Sequence, residues 1–285
     1  MALVAPSGPL RDSDLQLAID SVRSFEWEPV VGAHVREHDG YLAGSDANRL
    51  ADFNRFAADD GIDAIWCIRG GYGAMRLLND LDYDALARRP RILIGYSDIT
   101  ALHAALNIRT RTIAYHGPTA RTVLTDFTRA SLRAAVVDGT NPCGAAAQAS
   151  TLHGGSARGR LAGGNLALVA ALMGTPFEIS LDGAILVLED VNESVYRIDR
   201  MFTQLRLAGA LDRLAGIAFG HFSEIPDDET NADRSLDDVL QEVADRAKVP
   251  CLARIPLGHI DDQWTIPLGA MAELNADMKT LVVES

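Results

Sequence analysis

Two periods of apolar and polar positions alternate along the chain. Short apolar runs, "ALVAPSG" at the start and then "IDAIWCI", "RILIG" and "TIAYHGP", read as buried strands. Between them apolar residues recur every three or four positions. The spacing predicts a helix from about Ser13 in "SDLQLAIDSVRSF", and a second in "GSDANRLADFNRFAADDG". The second has Ser45 or Asp46 as N-cap, Leu50, Phe53, Phe56 and Ala57 on one face, and Gly61 as its end. "AMRLLNDL", "SDITALHAAL" and "TDFTRASLRAAVVDG" continue the helical pattern. Strand-helix alternation of this kind predicts a parallel sheet covered by helices, with ligands at the carboxyl ends of its strands. The loops "RGGYG" and "GYSD" fall at such ends.

The texture changes near residues 135–155, where "TNPCGAAAQASTLHGGSARG" is poor in bulky side chains. This stretch divides the chain into an N-terminal domain over 1–135, a linker over 136–155 and a C-terminal domain over 156–285. In the second half "LAGGNLALVAALMG", "YRIDRMFTQLRLAG" and "DDVLQEVADRAK" read as helices, and "AILVLED" and "GIAFGHF" as strands. Short strands joined by turns follow in "CLARIPLGH", "QWTIPLGAMAELN" and "TLVVES". "EIPDDETNADRS" reads as a solvated acidic loop.

A length of 285 residues agrees with two domains, and the apolar share of 48% suffices for two cores. The formal net charge of −13 disfavours binding to nucleic acid or an anionic membrane. Any anionic substrate group then needs a local positive field. Neither a secretory signal pattern nor a membrane-length apolar run is visible, and Cys67, Cys143 and Cys251 form no CxxC pair. The expectation is a cytoplasmic protein with reduced cysteines and no structural zinc.

The chemistry centres on "GYSD". On a sharp strand-to-helix turn, Ser97 is either a helix N-cap or a nucleophile raised above the sheet. Gly95 permits a tight bend, but Ile99 stands where a nucleophile elbow usually has its second glycine. In "RGGYG", adjacent glycines let backbone N–H groups face a ligand, so the amides of Gly71 and Asp98 could together hold an oxyanion. The string is not a dinucleotide fingerprint. For a base, His116, His221 and His259 all stand near strand ends, and the residues alone leave them tied. For a carboxylate, Glu189 and Asp190 both close the strand "AILVLED". No paired-histidine metal motif is present.

Together, "APSG", "AGSDANRLADFNRF", "RGGYGAMRLL", "GYSDITALH", "GGNLALVAALMGTP", "ILVLEDVNESVYRIDRMFTQL" and "PLGH" with "TIPLGA" resemble the serine LD-carboxypeptidases, also called muramoyltetrapeptide carboxypeptidases. The resemblance runs through nearly the whole chain in the family's order. It implies a parallel α/β N-terminal domain, a smaller barrel-like α+β C-terminal domain and an active site between them, usually in a homodimer. It further implies Ser97 as nucleophile, Glu189 as triad acid, His259 as base, and the Gly71 and Asp98 amides as oxyanion hole, with no metal or cofactor. The implied reaction releases D-alanine from a murein tetrapeptide in cytoplasmic cell-wall recycling. The related microcin-immunity hydrolases, which act on a peptidyl nucleotide, carry an extra aromatic loop. Here the interval between "GGNLA" and "LED" is short and lacks tryptophan. A rival of another class is a non-catalytic peptide- or sugar-binding module with Ser97 merely capping its helix. Arg69 and Arg197 are candidates for the substrate carboxylate. Because Ser97 and His259 lie in different halves, interdomain geometry is expected to gate activity.

Overall fold

The computed structural model describes residues 1–226 and 234–284; residues 227–233 of the expected acidic loop lie outside them. The first half contains β1 (Ala2–Val4), α1 (Asp14–Arg23), β2 (Val30–Val31), α2 (Asp46–Ala58), β3 (Ala64–Cys67), α3 (Tyr83–Arg88), β4 (Ile92–Gly95), α4 (Thr100–Thr110), β5 (Ala114–His116) and α5 (Asp126–Arg133). Ser45 caps α2, its hydroxyl accepting from the Asn48 N–H. Strands β2, β1, β3, β4 and β5 lie side by side in that order, all parallel. The order reverses between β1 and β3, so the loops that follow these two strands diverge and leave a crevice at their carboxyl ends. Because side chains alternate across a sheet, Val4, Ile65, Cys67 and Leu93 pack against α2 and α4, whereas Leu3, Trp66 and Ile94 pack against α1.

The second half contains β6 (Gly144–Ala145), β7 (Ser150–His153), β8 (Ser156–Asn165), α6 (Leu166–Leu172), β9 (Ala184–Val191), α7 (Val195–Leu207), β10 (Gly216–Ser223), α8 (Leu236–Ala247), β11 (Cys251–Ala253), β12 (Ile266–Leu268), β13 (Met271–Asn275) and β14 (Thr280–Val283). Its mixed sheet runs β6-β14-β13-β8-β9-β10-β11-β7. Ile185 and Val187 face an inner cluster with Leu252, Leu257, Trp264 and Leu274. The alternate residues Leu186 and Leu188 face α6, α7 and α8. This half therefore has a core on each face of an eight-stranded mixed sheet, beside the parallel α/β half. Among the described residues, no helix is long and apolar enough to cross a membrane.

Three local readings change. "LAGGN" continues β8, and the helix begins only at Leu166. Gly163 and Gly164 adopt φ +129° and +125°, and a Cβ on Gly163 would lie 2.0 Å from the Val187 carbonyl oxygen, so the two backbones run too close for helix or side chain. "AMRLLNDL" yields a single 3-10 turn, Ala74–Leu77, whose first amide is taken by the Asp98 carboxylate. Residues 136–155 carry β6 and β7, both paired into the second sheet. In the other direction, β12 crosses to the first sheet and pairs antiparallel with β5.

Candidate active site

The turn after β4 places Ser97 at φ +63°, a left-handed conformation that costs a non-glycine residue on the order of 1 kcal/mol. A Cβ added to Gly95 would sit 3.0 Å from both Cγ atoms of Ile99, so the bend closes on this glycine. Tyr96, not Ser97, occupies the N-cap position of the following turn, and no side chain caps it. The cap reading of Ser97 therefore has no hydrogen bond behind it. A Cβ on Gly70 would lie 3.1 Å from Ser97 Oγ, so any side chain there would cover the hydroxyl. Gly71 takes φ +119°. Neither its amide nor that of Asp98 donates to a described residue, which leaves two N–H groups free near the hydroxyl.

Beneath this turn the Asp98 carboxylate is buried. It accepts from Ser7 Oγ at 2.6 Å and from the Ala74 N–H at 2.8 Å. Burial raises its pKa, and those two bonds oppose the rise. One side chain thus ties together the loops after β1, β3 and β4. The Gly8 N–H, donating to the Gly70 carbonyl at 3.2 Å, adds a second tie.

At the end of β9 the two acids take different main partners and share one donor, Asn165 Nδ2, which lies 3.5 Å from Glu189 Oε1. Glu189 is fully buried, and its Oε2 lies 2.8 Å from His259 Nδ1. Asp190 instead accepts from Asn165 Nδ2 and the Val191 N–H, both at 2.8 Å, and from the Ala167 N–H at 2.9 Å, which anchors the start of α6. Burial pushes its pKa up to about 6, against the pull of those bonds. Gly258, at φ +116°, lets the chain pass Glu189: a Cβ there would be 3.0 Å from the Glu189 Cβ. On its other side the His259 ring lies against Tyr96, with centroids 4.5 Å apart.

The three histidines are now distinguishable. His116 is wholly buried with Nε2 3.9 Å from Glu189 Oε1, and neither ring nitrogen has a hydrogen-bond partner. Burial, then the neighbouring His103 and His259, push its pKa well below the usual value, so it stays neutral. His221 is half-buried and is not among the residues lining the cleft that contains Ser97; His259 is.

The two halves meet through specific contacts. Thr100, three residues beyond Ser97, accepts through Oγ1 from the Asn165 N–H at 3.0 Å, and a Cβ on Gly164 would collide with that hydroxyl at 2.6 Å. The stretch after His259 is pinned to α5. Thr128 Oγ1 donates to the Asp261 carbonyl at 2.6 Å, and the Thr265 N–H donates to Ser131 Oγ at 2.8 Å.

Ser97 and His259 share a cleft of about 600 Å³, together with Gly71, Tyr96 and three arginines, Arg11, Arg69 and Arg121. No hydrogen bond joins the serine and the imidazole in this structure. Arg197 lies elsewhere, exposed and 3.6 Å from Glu193. Among the described residues, no group of three or more His, Cys, Asp or Glu side chains is placed to hold a metal ion. Sequence reasoning missed Tyr96, Asn165, Arg121 and the Asp98 side chain. Tyr96 and Asp98 stand inside "GYSD", but their partners, His259 for one and Ser7 and Ala74 for the other, are remote in sequence.

Comparison with known proteins gives a consistent pattern. Profiles of the LD-carboxypeptidase N-terminal and C-terminal domains match residues 1–117 and 158–274. The chain is 38% identical to a putative carboxypeptidase of Streptomyces coelicolor, covering 100% of this chain and 93% of the relative. It is 33% identical to a probable murein peptide carboxypeptidase of Bacillus subtilis, covering 100% and 91%. The crystal structure of a muramoyltetrapeptide carboxypeptidase from Oxalobacter formigenes superposes with a TM-score of 0.88 at 29% identity, covering 99% and 97%. A wild-type microcin C7 self-immunity protein reaches a TM-score of 0.89 at 24% identity over 100% and 95%, a likeness of fold.

Proposed function

The chain belongs to the LD-carboxypeptidase family of serine peptidases, and from that premise we propose that it hydrolyses the L,D-peptide bond releasing terminal D-alanine from a murein tetrapeptide. The observation that carries the proposal is the 2.8 Å contact between His259 Nδ1 and buried Glu189, in a cleft shared with a serine held at φ +63°. In this reading Ser97 Oγ attacks the scissile carbonyl carbon while His259 Nε2 takes its proton. Glu189 accepts from Nδ1–H, fixing the tautomer and stabilising the imidazolium. The oxyanion accepts hydrogen bonds from the Gly71 and Asp98 amides, each worth about 3 kcal/mol. When the C–N bond breaks, His259 returns the proton to the departing amine. A water, deprotonated by His259, then cleaves the acyl-enzyme and restores Ser97. The reading sets the reaction in cytoplasmic cell-wall recycling and the protein in a homodimer.

The test is mass spectrometry of products from L-Ala-D-Glu-meso-diaminopimelate-D-Ala, with the lysine-containing peptide and a microcin-type peptidyl nucleotide in parallel. Free D-alanine from the tetrapeptides, absent with Ser97→Ala, is expected. Turnover of the nucleotide conjugate alone would assign the chain to the immunity-type reaction, and turnover of neither would favour a binding module.

A further inference from the structure

The proposed reaction does not by itself use the arginines of the cleft. In a chain of net charge −13, Arg11, Arg69 and Arg121 all line it, and Glu224 is the sole carboxylate among the described lining residues. Among the described residues, neither Arg11 nor Arg69 has a carboxylate within ion-pair distance, and Arg121 reaches Asp14 only at 3.4 Å. Three guanidinium groups thus share one carboxylate partner. Arg69 is fixed rather than floppy. Its Nη1 donates to the Pro9 carbonyl at 2.5 Å, and its buried Nε has no partner. Burial above all, then the neighbouring Arg121, depresses its pKa, while Asp14 opposes the shift. Such an arrangement costs stability unless an anion completes it.

The position of Arg69 selects the anion. It immediately precedes Gly70, whose Cβ position is 3.0 Å from the Ser97 Cβ, and its Nη2 lies 3.9 Å from the Cβ position on Gly71. In a peptide ending in a single residue beyond the scissile bond, the terminal carboxylate carbon is three bonds from the scissile carbonyl carbon, within about 4 Å of it. An acyl carbon at Ser97 with its oxygen toward the Gly71 amide brings that carboxylate to the arginines.

We propose that Arg69, supported by Arg121, forms the subsite for the α-carboxylate of the leaving residue, so that the cleft reads a free C-terminus. This rests on the hydrolase reading above. A planar guanidinium suits a carboxylate through paired N–H donors. The subsite excludes chain-internal bonds and C-terminal amides by leaving a cation without its partner.

The experiment compares kcat/KM for the murein tetrapeptide and for the same peptide ending in D-alaninamide, in wild type, Arg69→Ala and Arg121→Ala, with fluorophosphonate labelling of Ser97 in each. The wild type is expected to favour the acid by about 100-fold, the scale of a lost charge-assisted hydrogen bond. Arg69→Ala should abolish the preference, mainly through KM, with the acid losing about 100-fold and the amide far less. Arg121→Ala, which leaves the contact with Pro9 intact, should lower it by about 10-fold. Retained labelling shows that each variant keeps its site. Acid and amide cleaved alike by the wild type, or both lost equally in a labelled Arg69→Ala, would overturn the subsite and leave the hydrolase reading standing. A wild type that cleaves neither peptide would defeat the hydrolase reading and the subsite with it.

Discussion

The two strand ends that build the cleft are opposites. After β4 the chain is strained and backbone donors beside it are unspent: Ser97 sits at φ +63°, and the amides of Asp98 and, in the loop after β3, of Gly71 have no partner among the described residues. After β9 the donors and acceptors are committed: Glu189 meets His259, while Asp190 takes three N–H groups. The first end keeps valences open for a substrate, and the second uses closed valences to aim an imidazole. Openness costs conformational energy; closure costs desolvation.

The sharpest way to break the comparison is to exchange the two acids' roles by mutation. Glu189→Gln should lower kcat by about 10³–10⁴-fold, because the amide fixes the wrong tautomer or none. Asp190→Asn should change kcat by less than about 10-fold yet cost about 2 kcal/mol of stability, since an NH₂ group would face a backbone N–H. Steady-state kinetics beside chemical denaturation separates the two, and equal kinetic losses would erase the distinction drawn here.

A second prediction concerns the buried imidazoles behind Glu189. Burial pushes the pKa of His103 down to about 3 from 6.5. The unfolded chain therefore binds a proton that the folded one refuses between those values. Stability from this group is complete above pH 6.5 and is lost as pH falls toward 3, by about 2 kcal/mol at pH 5. His103→Leu should reduce the fall in unfolding free energy between pH 6.5 and 5, with His116, lowered in the same direction by burial, still contributing. Asp190 works in the opposite sense: with its folded pKa raised from 3.8 to about 6, its contribution is complete below 3.8 and is lost as pH rises through about 6. Denaturation midpoints of the Leu variant at pH 5 and 7 that track the wild type would contradict the assignment.

The smallest effect sharpens the strained end. Ser97→Gly removes both the hydroxyl and the left-handed penalty, so an inactive protein more stable by about 1 kcal/mol is expected. An unchanged or lowered melting temperature would mean that the φ of Ser97 stores no strain.

Much of this was legible in the residues. The parallel half showed because its strands are buried on both faces and read as continuous apolar runs, "IDAIWCI" and "RILIG". "LAGGN" misled because glycine and alanine suit a close-packed strand as well as a helix, and only the approach of Val187 decides between them. Within "LED" the residues alone do not separate Glu189 from Asp190, because the acid that meets the imidazole is set by where the loop carrying His259 lies. The histidine choice needed three dimensions, since His116 packs between His103 of the preceding helix and Glu189 of β9, which lies far from it in sequence. Arg121 was invisible for the same reason: it stands in a loop after β5 and meets Asp14 only through the fold.

The most direct measurement is peptide mapping of the protein after reaction with a fluorophosphonate. A single adduct on Ser97, formed far more slowly in Glu189→Gln, is the result that a hydroxyl activated by the His259–Glu189 pair predicts. An unlabelled Ser97, or equal labelling rates with and without the carboxylate, would contradict it.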